Sequence, residues 1–297
     1  EQGVAQGAHN SPPQYLVHNN SNLHALDAHS NGYNIGHINI TNITCADDEL
    51  LVSSDHQDAQ TQLNIIASEC SLDRNIINAS KTEAKVLNIK DPELIINSKI
   101  VPINQETKHL GLELSSSSIS AEKIIIKSRK TIYSLMGTGI HGKNGINPIV
   151  SRKIWERYNI PRSTHGLEVQ ILSETEMKKL LVHEQEFLKM FQSLPKFAAN
   201  ILSYILVGGT PLKTVIHKRM LSLLMNVRRK DCLEADIGRR QLAMKASSSQ
   251  SWFIRVNKVA NYYGLPNCYT VMDKTAWDKK QWKAIVRAAI TDKLEIS

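Results

Sequence analysis

Ile38-Asn39-Ile40-Thr41-Asn42-Ile43-Thr44-Cys45-Ala46-Asp47-Asp48-Glu49-Leu50-Leu51-Val52 is the stretch on which the reading of this chain turns. Two β-prone runs meet at adjacent carboxylates, Asp47 and Asp48, so a hairpin with the pair at its turn is expected. Carboxylates held this way can grip Mg²⁺, and oxygen ligands on paired metals clamp the attacking and leaving oxygens of a nucleotidyl transfer. Asp is also common in turns for local reasons, because its side chain bonds nearby amides. The pair acquires meaning only from its neighbours.

Upstream, Gln2-Gly3-Val4-Ala5-Gln6-Gly7-Ala8-His9-Asn10 is a glycine-bearing loop, and Ser11-Pro12-Pro13 reads as a cap and first helical turn. Tyr15, Leu16, Leu23 and Leu26 then recur at loose helical spacing. Downstream, Gln57 to Arg74 reads as a second helix with Leu63, Ile66, Ala67 and Cys70 as its apolar stripe. A polar turn around Lys81 leads into a strand, and Thr107 to Leu114 reads as a further strand.

In this order the boxes resemble the reverse transcriptase of non-LTR retrotransposons. Cys45-Ala46-Asp47-Asp48 resembles that family's catalytic box, with Cys45 in the place usually held by tyrosine. Gln6-Gly7 through Ser11-Pro12 resembles the box lining the nucleotide and template site. Lys81-Thr82-Glu83 resembles the lysine box, and Lys108-His109-Leu110-Gly111 the strand entering the primer grip. Ser134-Leu135-Met136-Gly137, Pro161-Arg162, His165-Gly166-Leu167-Glu168, Arg240-Gln241-Leu242 and Ser251-Trp252-Phe253 extend the likeness into the tail that follows the polymerase core.

The resemblance implies an α+β fold: a partial palm over residues 1–118, an antiparallel hairpin sheet with helices, then a mostly helical thumb and basic C-terminal region over 119–297. It also implies Mg²⁺ or Mn²⁺ on Asp47 and Asp48, and Lys81 as a proton donor to the leaving pyrophosphate. Gln6, Gly7 and Cys45 would lie at the nucleotide or template site. The implied partners are an RNA template, a DNA primer and deoxynucleotides, with a nuclear location by analogy.

The chain departs from the family in several places. Ala5 stands where arginine is common, and Ala8-His9-Asn10 replaces a more glycine-rich run. Only five residues precede Gln6, so the third palm carboxylate and the fingers are expected upstream of Glu1, and the chain alone is expected to be inactive.

Charge divides the chain. Residues 1–120 carry 6 Lys/Arg against 14 Asp/Glu, and residues 121–297 carry 30 against 14, within a total of +8. A basic second half suits contact with phosphates, which needs no sequence reading. Ile124, Ile125, Ser128, Ile132 and Leu135 mark its first helix, which carries Lys127, Arg129 and Lys130. Further helices are expected near 147–159, 174–193, 197–207, 211–229, 233–246, 250–263 and 275–292. Ser173 is expected to cap the second of these, with Glu176 completing a capping box. Arg228, Arg229, Arg239 and Arg240 are the other candidates for phosphate contact, and the four tryptophans read chiefly as core.

Gly142-Lys143 lacks the Ser/Thr of a phosphate loop, because Asn144 follows. The four cysteines form no Cys-x-x-Cys pair, so neither zinc nor a disulfide framework is expected, and reduced intracellular thiols fit. The longest apolar runs are too short to span a bilayer. Two functions follow: an RNA-directed DNA polymerase, or a non-enzymatic basic helical module that binds nucleic acid. A metal response sensitive to Asp47 separates them.

Overall fold

The computed structural model describes residues 9, 11–88, 92–114, 119–170, 172–228, 232–273 and 277–296. The fold is α+β, mostly helical, with small antiparallel two-stranded hairpins. The chain divides into two compact units, Glu1–Ser115 and Ser116–Ser297.

In the first unit, α1 (Ser11–His29) packs against α2 (His56–Leu72). Between them lie two hairpins, β1 (Tyr33–Ile35) with β2 (Ile38–Ile40), and β3 (Asn42–Cys45) with β4 (Asp48–Leu51). The Ile38–Cys45 run expected as one strand is therefore divided at Thr41, and its first half pairs backward with Tyr33–Ile35. Gly32 makes the entry to β1 possible: its φ is +62°, and a Cβ there would lie 2.5 Å from the Ile40 carbonyl oxygen.

Two more hairpins follow, β5 (Ile95–Ile96) with β6 (Lys99–Ile100), and β7 (Thr107–His109) with β8 (Leu112–Leu114). Thr107 to Leu114 is thus a hairpin and not a single strand. Leu110 and Gly111 both take positive φ, 51° and 74°, the signature of a two-residue turn matched to strand twist. Among the described residues no sheet exceeds two strands. The apolar core is small: Leu63, Leu94, Ile96 and Val101.

Polar side chains do much of the tying in this unit. Asp55 caps α2 by accepting from the Asp58 amide at 2.8 Å. Buried Asp58 accepts from the Asn31 and Gly32 amides at 2.7 and 2.8 Å. Gln62 donates to the Val52 carbonyl at 3.0 Å, which anchors the chain leaving β4.

The second unit is helical: α3 (Ala121–Leu135), α4 (Pro148–Ile154), α5 (Ile160–Ser163), α6 (Glu174–Phe191), α7 (Asn200–Ile205), α8 (Leu212–Arg228), α9 (Leu233–Met244), α10 (Trp252–Tyr262), α11 (Cys268–Met272) and α12 (Lys279–Ile296). One π-helical turn, Trp155–Asn159, joins α4 to α5. Asn147 caps α4 with Pro148 just inside. Ser173 caps α6 through the Glu176 amide at 3.2 Å. Glu176 itself reaches the Ala121 amide at 2.5 Å, which links the starts of α3 and α6.

The core centres on α8, where Ile216, Met220, Leu221 and Leu224 are wholly buried and α6, α10 and α12 pack around it. Trp282 is buried there, and its indole donates to the Leu221 carbonyl at 2.9 Å. The loop around Gly142-Lys143 is a packed connection between helices. A Cβ on Gly142 would lie 2.2 Å from the Met190 carbonyl oxygen.

Candidate functional site

Ala46 and Asp47 form the two-residue turn between β3 and β4, with Cys45 paired to Asp48. Ala46 takes φ 55°, an uncommon angle for a residue with a Cβ. Cys45, Asp47 and Asp48 are exposed. Neither Asp47 nor Asp48 makes a side-chain hydrogen bond or ion pair among the described residues, so both carboxylates are free to accept a ligand.

The hairpin is held by α1. Asn22 donates to the Asn19 side-chain oxygen at 2.7 Å, and Asn19 donates to Glu49 at 2.8 Å. At the other end Thr41 donates to Asp27 at 2.6 Å. Tyr15 also lies close: partial burial raises its pKa first, and the charges of Glu49 and Asp47 raise it further.

The donor set suits a hard cation, since two exposed carboxylates with no internal partner offer the oxygen ligands that Mg²⁺ or Mn²⁺ takes. Among the described residues no group of three or more His, Cys, Asp or Glu side chains converges on one point. The third acidic side chain at this turn, Glu49, is already engaged by Asn19.

No family model, no curated protein and no solved structure matches this chain. The weight of any functional reading falls on the residues themselves.

Lys81 is exposed in the turn that follows α2, where its amide donates to the Asn78 carbonyl at 2.9 Å. Gln6 and Gly7 lie outside the described residues, as does Arg229. Lys127, Arg129 and Lys130 stand exposed along α3, and none of their side chains makes a hydrogen bond or ion pair among the described residues. Arg239 is tied to Asp236 at 2.7 Å one turn away, and Arg240 is half-buried.

Arg228 must be corrected as a phosphate contact. It is 3% exposed, and its guanidinium donates to the Trp277 carbonyl and lies 3.3 Å from the Met225 sulfur. It continues the inward stripe of α8 through His217, Leu221 and Leu224, and so closes the core instead of facing solvent. That spacing was the available signal.

Two buried polar clusters in the second unit had a similar signal, charged or polar residues on an apolar helical stripe. In the first, Glu184 accepts from the Tyr204 hydroxyl at 2.8 Å and from the Leu212 amide at 2.9 Å. Burial pushes its carboxyl up to about 7, against the pull of those two donors and of Arg152. In the second, Ser128 sits between His183, 2.9 Å from its Nε2, and the Asn159 amide, also 2.9 Å away. Burial holds the imidazole down to about 4, with Arg129 adding to the effect.

No helix among the described residues is long and apolar enough to cross a membrane.

Proposed function

We propose that this chain belongs to an RNA-directed DNA polymerase of the non-LTR retrotransposon kind, with residues 1–118 from its palm and 119–297 from its thumb and helical tail. One observation carries the reading: Asp47 and Asp48 are exposed and unpaired at a two-residue turn, on a hairpin braced by α1. Asp47 and Asp48 would hold Mg²⁺ or Mn²⁺, which when bound neutralises charge building on a transferred phosphoryl group. Cys45, opposite Asp48, borders the same tip. Lys81 is the candidate proton donor to pyrophosphate, and the template, primer and deoxynucleotides are the implied ligands.

The first test is Mn²⁺ titration of the purified chain, read as paramagnetic broadening of backbone amide signals. Residues 45–49 should broaden first, and Asp47→Asn should remove the effect. Absence of broadening there at millimolar Mn²⁺ overturns the metal site. Incorporation in a primer-extension assay on an RNA template with Mg²⁺ and deoxynucleotides, abolished by Asp47→Asn, would support the activity.

A second reading is a basic helical module that binds nucleic acid without chemistry. The unpaired row Lys127, Arg129 and Lys130 favours it. It expects steeply salt-dependent binding of oligonucleotides that Lys127→Ala with Lys130→Ala weakens and Asp47→Asn leaves alone.

A further inference from the structure

Between α3 and α6 runs an open groove of about 410 Å³, lined by Ile125 and Arg129 from α3 and by Thr175, Lys178, Lys179, Val182, His183 and Glu186 from α6. That volume falls in the range of small-molecule sites. Its lining combines two apolar side chains, half-buried Ile125 and exposed Val182, with cations. Arg129 and Lys178 are exposed and make no hydrogen bond or ion pair among the described residues. Lys179 is already paired with Glu176 at 2.6 Å, and Glu186 is the one acidic side chain in the lining.

His183 is unlike the rest of this lining. It is 5% exposed, and its Nδ1 is buried without a partner. Ser128 is the hydrogen-bond partner of its other nitrogen, Nε2, at 2.9 Å. The Asn159 amide donates to the Ser128 oxygen, and the only acceptor within reach of the serine hydrogen among the described residues is His183 Nε2. A hydroxyl has one hydrogen to give. A Ser128 hydroxyl that donates to Nε2 would leave the proton of the neutral imidazole on Nδ1, where no partner meets it among the described residues. Burial holds the ring neutral through the physiological range. An unmade buried donor is costly, and a ligand that accepts from it recovers that cost.

We infer that the α3–α6 groove is a phosphate-binding site in which Arg129 and Lys178 hold the charge and His183 Nδ1–H donates to a phosphate oxygen. Ile125 and Val182 would meet the face of the base carried by that phosphate, whether in a nucleoside monophosphate or in a strand. The site is independent of Asp47 and Asp48. It shares Arg129 with the nucleic-acid reading of α3 but adds α6 and a buried donor that a surface charge row lacks.

The test is NMR on the full chain, with three probes: inorganic phosphate, uridine monophosphate and a short single-stranded oligonucleotide. Imidazole ¹⁵N spectra of the free protein should show His183 protonated on Nδ1, and the opposite tautomer overturns the inference. Addition of a probe should shift that Nδ1–H signal. Arg129→Ala and Lys178→Ala, both on the surface, should each weaken binding about fivefold. His183→Phe should weaken it about tenfold or more. Saturation by phosphate or the monophosphate identifies a small-ligand site. A response to the oligonucleotide alone identifies a strand phosphate, and both outcomes support the chemistry. Binding that Lys127→Ala and Lys130→Ala reduce, but Arg129→Ala and Lys178→Ala do not, overturns the groove and leaves the charge row standing. No shift at His183 with any probe at 10-fold excess over millimolar protein, on the order of tens of millimolar, also overturns it.

Discussion

Glu184→Gln should remove the pH dependence that one buried carboxyl imposes on the helical unit. Glu184 is completely buried and bridges α7 to the start of α8 through Tyr204 and Leu212. Its pKa is raised from 4.5 to about 7 by burial. Between those values the folded chain retains a proton that the unfolded chain has released, so stability falls as pH rises. At about 1.4 kcal/mol per pH unit, ionisation costs the fold about 3 kcal/mol in total, of which about 2.5 kcal/mol is incurred between pH 5 and pH 8.

Glutamine keeps an oxygen for the Tyr204 hydroxyl and the Leu212 amide and never ionises. His183 and His217 act in the opposite sense. Both are held down to about 4 from 6.5 by burial, so each adds stability as pH rises through that window. The clean quantity is therefore the difference between Glu184→Gln and the parent. All four tryptophans, Trp155, Trp252, Trp277 and Trp282, lie in this unit, so urea unfolding followed by their fluorescence reports on it alone. The variant's advantage should grow by about 2.5 kcal/mol from pH 5 to pH 8. A difference that stays flat within about 1 kcal/mol would refute the assignment of a neutral buried Glu184.

Three other outcomes follow from the geometry. Asp58→Ala strips the Asn31 and Gly32 amides of their acceptor and should cost about 3 kcal/mol, with hydrogen exchange at those two amides accelerating most; unchanged exchange there would contradict it. Asp47→Ala with Asp48→Ala should change stability by no more than about 0.5 kcal/mol, because both side chains are exposed and unpaired, and a larger loss in thermal unfolding would make them structural instead. Gly238→Ala places a methyl 2.5 Å from the Phe253 ring where α9 meets α10, and should lower the unfolding midpoint by the equivalent of about 1–3 kcal/mol.

Sequence patterning made the long helices legible because each carries an apolar stripe over several turns. The caps Asn147 and Ser173 stand where their side-chain chemistry demands. The hairpins were harder. Leu110 fills a positive-φ turn position that Asn or Asp would have advertised, so Thr107–Leu114 reads as one strand. The short helix Cys268–Met272 escaped because five residues cannot show a period. At the candidate site, the exposed turn at Asp47 was legible from turn chemistry, while the bracing by Asn19 and Asp27 was not, since those contacts span 30 and 14 residues of chain. His183 and Glu184 were hidden by adjacency to charged neighbours, although each breaks an otherwise apolar stripe on α6.

The π turn at Trp155–Asn159 sets a phase. A regular helix advances about 100° per residue, so one residue accommodated in a widened turn offsets everything after it by that angle. Trp155 and Asn159, four residues apart, share the inward face as in any helix, and Ile160 and Ser163 beyond the turn are buried as well. Substitutions in this turn alter side chains one at a time. Loss of any single residue from it would shift the phase of everything after it and rotate Ile160, Ser163 and the buried Thr164 away from their partners together. Length in this segment is thus constrained more tightly than identity, and a natural variant of this chain should tolerate exchange there far better than deletion.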